Sequence, residues 1–259
     1  MQVMGILNVT PDSFSDGGKF FDPGKAVERA FQMKEEGADW IDIGAESTRP
    51  GSDGVDEATE RERLWPILTR LARERFPVPI SLDTSKPAIV HAAAAEGLIR
   101  MVNDVRGLRD PEMVKVVRET KLPVVLMHMF GEPRTMQQDF HYDDVVKDLI
   151  RFFEQRLVEI GLKENVILDP GIGFGKSVEQ NLEILRRLSE FRTLGCQILV
   201  GASRKSFIGK VLDLEVGERL EGGLAAAAIA TWNGASMLRV HDVGPTVRVV
   251  RMVEAIQGR

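Results

Sequence analysis

The chain has 259 residues, 43% of them hydrophobic and 28% charged, and a formal net charge of −5. That composition excludes disordered and collagen-like classes, and the acidic balance offers no basic face for nucleic acid. The length suits two small domains or one (β/α)8 barrel of about 250 residues. From the start, Met1-Gln-Val-Met-Gly-Ile-Leu7 lacks the basic region of a signal peptide, and no apolar run along the chain reaches the ~18 residues of a membrane span, so no membrane partner is expected.

Short aliphatic runs recur at Val3–Leu7, Trp40–Ile43, Val78–Leu82, Met101–Val102, Val124–Met127, Val166–Leu168, Gln197–Val200 and Met237–Val240. Helical periodicity separates them: Leu64, Ile67, Leu68, Leu71 and Ala72 form one apolar stripe, and Val146, Leu149, Ile150, Phe153 and Leu157 another. Asp22-Pro23 and Asp110-Pro111 place a capping carboxylate before a proline at the first helical position. Ser177-Val-Glu-Gln180 spells a capping box, and Gly37 and Gly97 fall where helices end. Pro66, inside the second helical segment, predicts a break or kink. Eight strand–helix units predict a parallel sheet closed into a single (β/α)8 barrel over residues 1–259, with the site at the C-terminal strand ends. An open doubly wound sheet is the competing fold, but it would bind at one switch point, whereas polar motifs here follow nearly every strand.

The first strand runs into Asn8-Val-Thr-Pro-Asp-Ser-Phe-Ser-Asp-Gly-Gly18, where Asn8 offers a neutral oxygen to a metal or phosphate and the rest reads as a loop. Thr48 and Arg49 of Glu46-Ser-Thr-Arg-Pro-Gly51 are candidate anion ligands, with a surface salt bridge as the plainer role for Arg49. Asp83 opens Asp83-Thr-Ser-Lys-Pro87 and is placed either in the barrel mouth or as a helix cap, a job Ser85 could also fill. Of Asn103-Asp104, alternation turns one inward. In Met127-His128-Met129, Met127 reads first as packing, with contact to an aromatic ligand the alternative, and His128 reads as a hydrogen-bonded structural residue more readily than as a base.

Leu168-Asp-Pro-Gly-Ile-Gly-Phe-Gly-Lys176 has three alternating glycines but not the spacing of a dinucleotide fingerprint. Asp169 presents two adjacent acceptors, which match a heterocycle with neighbouring N–H and NH2 donors, and Phe174 gives an apolar wall. Cys196, the one cysteine, precludes an intrachain disulfide and reads as inert and buried; sparse cysteine fits a reducing, cytoplasmic setting. Gly201-Ala-Ser-Arg-Lys-Ser206 supplies Lys205 and a short helix beginning at Ser206, a candidate anion site. Arg239 and His241 share one side of the last strand. Zinc-site, P-loop and nucleophile-elbow motifs are missing from the sequence, which disfavours those chemistries.

These segments, with Leu126-Met-His-Met129 and Arg239-Val-His-Asp-Val243, resemble the dihydropteroate synthase family in order and from end to end. The chain opens at the first predicted strand where many members carry a short lead-in, which leaves the closure of the barrel bottom open, and Ala202 stands where members often carry another small or medium apolar residue. The resemblance implies condensation of (7,8-dihydropterin-6-yl)methyl diphosphate with p-aminobenzoate, in a Mg2+-dependent homodimer. It assigns Asp83, Asn103, Asp169, Lys205, Met127 and Gly201 to the pterin, and Asn8, Thr48, Arg239 and His241 to the diphosphate. Mg2+ would bridge Asn8 and phosphate oxygen; Asn8, Arg239, His241 and Lys205 would carry the chemistry. It also assigns Phe14, Arg49, Pro50, Phe174 and Ser206 to p-aminobenzoate, with the loops bearing Asp16 and Arg49 closing over the site. The alternatives are a corrinoid-linked methyltetrahydrofolate methyltransferase, which has no need for Ser203-Arg-Lys-Ser206 or Arg239-Val-His241, and a non-catalytic pterin-binding barrel, which would be expected to lose Asn8 or the first loop.

Overall fold

The computed structural model describes residues 1–10, 22–46, 54–131 and 141–259. Eight strands, β1 (Gln2–Asn8), β2 (Trp40–Gly44), β3 (Ile80–Asp83), β4 (Met101–Asp104), β5 (Val124–Met127), β6 (Val166–Asp169), β7 (Gln197–Val200) and β8 (Met237–Val240), pair in parallel and in order, with β8 closing on β1. The strands match the aliphatic runs because a parallel barrel buries both strand faces, one inside and one under the helices. Several extend a residue or two past the apolar run to take in Asn8, Gly44, Asp83, Asp104 and Asp169. β3 starts two residues later than predicted: Pro79 has no N–H for the ladder, although its carbonyl still accepts from Ile41 N at 3.1 Å.

The helices are α1 (Pro23–Glu35), α2 (Glu57–Arg73), α3 (Pro87–Ala95), α4 (Pro111–Thr120), α5 (Val145–Ile160), α6 (Val178–Arg186), α7 (Ser206–Leu212), α8 (Leu220–Trp232) and α9 (Val243–Ile256). Asp22 and Asp110 cap as their Asp-Pro pairs predict, accepting from Gly24 N and Glu112 N, and the Ser177–Gln180 box closes in both directions. Gly37 and Gly97 take positive φ just beyond α1 and α3. The predicted break at Pro66 is corrected: α2 runs through it. Pro66 lies on the exposed side, where water can meet the carbonyl its ring leaves unpaired, while Leu64, Ile67, Leu68 and Leu71 keep the opposite stripe buried.

Two apolar layers result. The larger lies between the strands and the helices. The smaller fills the barrel bottom with Met4, Met101, Val125, Ile167, Leu199 and Met237, with Trp40 packed against them, and this plug closes the floor beneath the site.

Candidate active site

Side chains alternate along a strand, so two residues beyond each plug residue the chain faces inward again, one layer higher. From Trp40 that step reaches Asp42, from Met101 Asn103, from Val125 Met127, from Ile167 Asp169, from Leu199 Gly201 and from Met237 Arg239. On β3 the same spacing links Ser81 to Asp83, and β1 reaches Asn8 at its tip, paired in register with Gly44. The period that plugs the barrel therefore also builds a polar floor above the plug.

Arg239 is the hub of that floor. Its Nε donates to Asp42 Oδ2 at 2.6 Å and its Nη2 donates to Asp83 Oδ2 at 2.6 Å. Asn103 Nδ2 donates to the same Asp42 oxygen at 3.0 Å. Asp169 Oδ1 accepts from Gly171 N at 2.7 Å. Lys205 enters from the loop after β7, donates to the Ile172 carbonyl and holds its Nζ 4.4 Å from the centre of the Phe174 ring. A Cβ on Gly173, whose φ is +83°, would lie 2.9 Å from Lys205 Cδ, so this glycine leaves room for the lysine stem. Val105, Met127 and Met129, with Phe174 against them, form an apolar wall. At the rim, Ser203 Oγ lies 3.2 Å from His241 Nδ1 and also accepts from His241 N, while Ser206 opens α7.

Burial sets the electrostatics. It pushes Asp83 up to about 7, with Arg239 opposing and Asp42, Glu60 and Asp104 adding to the rise. Burial likewise raises Asp169, against the pull of Lys205, the Gly171 N–H, Arg239 and Lys176. It lowers Lys205 to about 8, with Asp169 opposing and Arg239 adding to the fall. Burial works against charge on Arg239 too, but Asp42 and Asp83 outweigh it and the guanidinium stays protonated. Such a floor offers fixed acceptors and a few charged donors on one buried layer, which suits a flat, polar heterocycle.

A family model described as pterin binding enzyme matches residues 4–241. The dihydropteroate synthase of Escherichia coli K12 is 48% identical over 98% of this chain and 90% of its own length, and that of Haemophilus influenzae is 46% identical over 98% and 93%. The chain belongs to the dihydropteroate synthase family. The dihydropteroate synthase of Yersinia pestis, solved with a sulfonamide drug complex, superposes with a TM-score of 0.93 at 44% identity, covering 100% of this chain and 94% of that one. The Xanthomonas albilineans dihydropteroate synthase solved with 4-aminobenzoic acid gives 0.92 at 42% identity, covering 100% and 93%.

For this family member, the structure gathers Asn103, Asp83, Asp169, Lys205, Met127, Gly201 and Arg239 at the C-terminal end of the barrel strands. Asn103 is the inward member of its pair. Asp104 faces the other way and organises the following turn, accepting from Ser85 Oγ at 2.6 Å and from Arg106 N and Leu108 N at 2.9 Å. Neither Asp83 nor Ser85 caps a helix; the residue before α3 is Lys86, which makes no side-chain cap. His128 holds a structural hydrogen-bonding position against Lys176. Cys196 is half-buried rather than buried, its thiol pKa raised by burial. Phe14, Asp16, Thr48, Arg49 and Pro50 lie outside the described residues. Sequence reasoning missed Asp42. The signal was there: an acid between Ile41 and Ile43 inside a run bound for the barrel wall.

The elevated Asp83 has a stability consequence. Its ordinary value is 3.8 and its folded value about 7, so between these the unfolded chain has lost the proton that the folded chain retains. Stability from this residue is complete below the lower value and declines as pH rises to the upper one. At 1.36 kcal/mol per pH unit the cost is bounded at about 4 kcal/mol. Asp83→Asn is therefore expected to gain about 1–2 kcal/mol over the parent in urea unfolding at pH 8, less than the bound because Arg239 loses an ionic partner. The gain should vanish near pH 4; an offset independent of pH would refute the assignment.

Proposed function

We propose that this barrel mouth condenses (7,8-dihydropterin-6-yl)methyl diphosphate with p-aminobenzoate to give 7,8-dihydropteroate and diphosphate. The supporting observation is convergence: acceptors and donors suited to an aminopyrimidine edge lie on one floor, beneath a rim that holds Asn8 and His241. The 7,8-dihydropteroate complex of the Xanthomonas albilineans dihydropteroate synthase, 40% identical with a TM-score of 0.88, supports the same substrate class.

In this reading Asp83, Asn103 and Asp169 take the pterin's N–H and NH2 groups, Lys205 donates to its ring heteroatoms, and Met127 and Gly201 line its faces. Arg239, His241, Asn8 and Thr48 hold the diphosphate. Phe174, Phe14, Pro50 and Arg49 enclose p-aminobenzoate, with Ser206 beside its carboxylate. The C–O bond at the pterin methylene breaks with its electron pair on diphosphate, and Arg239 and the rim donors stabilise the growing negative charge. The arylamine is neutral at pH 7, so its lone pair forms the new C–N bond without a base, and the proton leaves afterwards. Asn8 fits Mg2+: one amide oxygen at a strand tip suits an ion that prefers few protein ligands plus phosphate and water. When bound, Mg2+ supplies positive charge to the diphosphate.

Ile229 and Trp232 of α8 and Met252 and Ile256 of α9 are exposed, whereas Ala226, Ala227 and Ala230 pack inward, so this helix pair is the proposed homodimer face. No described helix is long and apolar enough to cross a membrane, and a cytoplasmic setting is part of the proposal.

The test is diphosphate release from the pterin diphosphate with and without p-aminobenzoate and Mg2+, on material whose mass is read by sedimentation. Release coupled to dihydropteroate formation, dependent on both additions, is expected. Absence of a p-aminobenzoate-dependent product would reject the activity.

A further inference from the structure

Lys176 is 4% exposed, at the end of the loop that follows β6. Its Nζ meets three acceptors: the Phe174 carbonyl at 2.9 Å, the Gly171 carbonyl at 3.0 Å and His128 Nδ1 at 3.1 Å. An ammonium has three N–H donors, so the match is one to one, and it requires an unprotonated Nδ1 on His128. Burial provides that, holding His128 down to about 2, with Lys176 and Arg109 adding to the fall. Burial lowers Lys176 to about 7, against the pull of Asp169 from β6 and with Lys205 from the loop after β7 adding to the fall, so the three-donor ammonium is the dominant form below neutral pH.

The clamp acts on Gly171 from both sides. The Gly171 carbonyl accepts from Lys176 and from Phe174 N at 3.0 Å, while the Gly171 N–H donates to Asp169 Oδ1 at 2.7 Å. Gly171 has φ +67°, and a Cβ there would run into the His128 carbonyl oxygen, so the turn is pressed onto the end of β5. Other groups hold the rest of the loop: Asn181 Oδ1 accepts from Gly173 N at 2.7 Å, and Tyr142 donates to the Gly175 carbonyl at 3.0 Å. Lys176 thus governs the part that touches Asp169.

We propose that Lys176 is a positioning residue that, through Gly171, fixes the carboxylate plane of Asp169 and so presents Oδ2 to the pterin. This rests on Asp169 being the pterin-reading carboxylate.

The test is a double-mutant cycle on the full chain with Lys176→Met and Asp169→Asn. It reads calorimetric binding of 6-hydroxymethyl-7,8-dihydropterin, KM for both substrates, and hydrogen exchange over residues 168–176. Lys176→Met is expected to weaken pterin binding about 10-fold or more, the scale of a charge-assisted hydrogen bond, and to speed exchange at Gly171. The KM for p-aminobenzoate at saturating pterin should move less than about 3-fold, and the double variant should lose less than the product of the two single losses. If Lys176→Met does not fold, His128→Leu removes one acceptor and enters the same cycle. A fall in Tm with pterin affinity unchanged, or multiplicative losses, would overturn the clamp alone. An Asp169→Asn variant that binds pterin normally would overturn the site reading and the clamp with it.

Discussion

Arg239→Ala is expected to lose about 3–5 kcal/mol of folding stability together with essentially all turnover. The guanidinium answers two carboxylates at once, each at 2.6 Å, and Asp42 is fully buried. Alanine would leave both acids without a cation in an enclosed floor, the situation in which breaking a buried pair costs far more than making it gains. Among the described residues, Asn103 would remain as the one side-chain donor to Asp42, at 3.0 Å. Arg239→Lys should recover part of the stability and little activity, because an ammonium is a point charge and cannot span both carboxylates as a planar fork does. Urea unfolding and steady-state kinetics on the two variants decide the matter. Stability within about 1 kcal/mol of the parent for Arg239→Ala would mean that the hub carries little energy. The sequence placed Arg239 on the anion side alone. Its position between Asp42 and Asp83 adds a second expected loss, in pterin affinity as well as in leaving-group handling.

The barrel was readable because eight buried parallel strands leave eight aliphatic runs, and because polar motifs follow nearly every run. Asp169 could be placed at a strand tip from those runs, whereas alternation left Asn103 or Asp104 inward and Asp83 in the mouth or at a cap, and the family resemblance made the choice. Asp42 escaped because attention to strand tips passed over an acid one turn of the pleat lower, flanked by Ile41 and Ile43. The pairing itself was not legible: Arg239 and Asp42 are separated by 197 positions, and only barrel closure brings them together. Lys176 closes the glycine-rich motif after β6, but three acceptors from two different loops are a property of the folded turn rather than of its letters. Pro66 misled in the other direction. A proline in a helix is costly where its carbonyl partner is buried, and which face it occupies depends on how the helix docks. The family resemblance covered what spacing could not, and the relatives at 46% and 48% identity agree with it over nearly the whole chain.

Asp169→Ala is expected to abolish measurable pterin binding while leaving the fold intact. Its Oδ1 is taken by Gly171 N, and Oδ2 is bonded to no protein group among the described residues. A carboxylate in that position can accept two charge-assisted hydrogen bonds from a pterin edge, worth roughly 1.5–3 kcal/mol each, so the loss in affinity should be about 100-fold to more than ten-thousand-fold. Stability should respond in the opposite sense from that of Arg239→Ala. Burial raises Asp169, which means the folded state is charged for keeping it ionised, and alanine removes that cost together with one hydrogen bond to Gly171. Calorimetry with 6-hydroxymethyl-7,8-dihydropterin, beside thermal unfolding of the same preparation, separates the two effects. The pH dependence adds a constraint. Because the folded carboxyl holds its proton to a higher pH than a free aspartate, pterin affinity in the parent should fall on the acid side earlier than an ordinary carboxylate would dictate, and Asp169→Asn should flatten that limb. Pterin binding by Asp169→Ala within a few-fold of the parent would place the heterocycle elsewhere in the barrel and leave Asp169 with only its turn to hold.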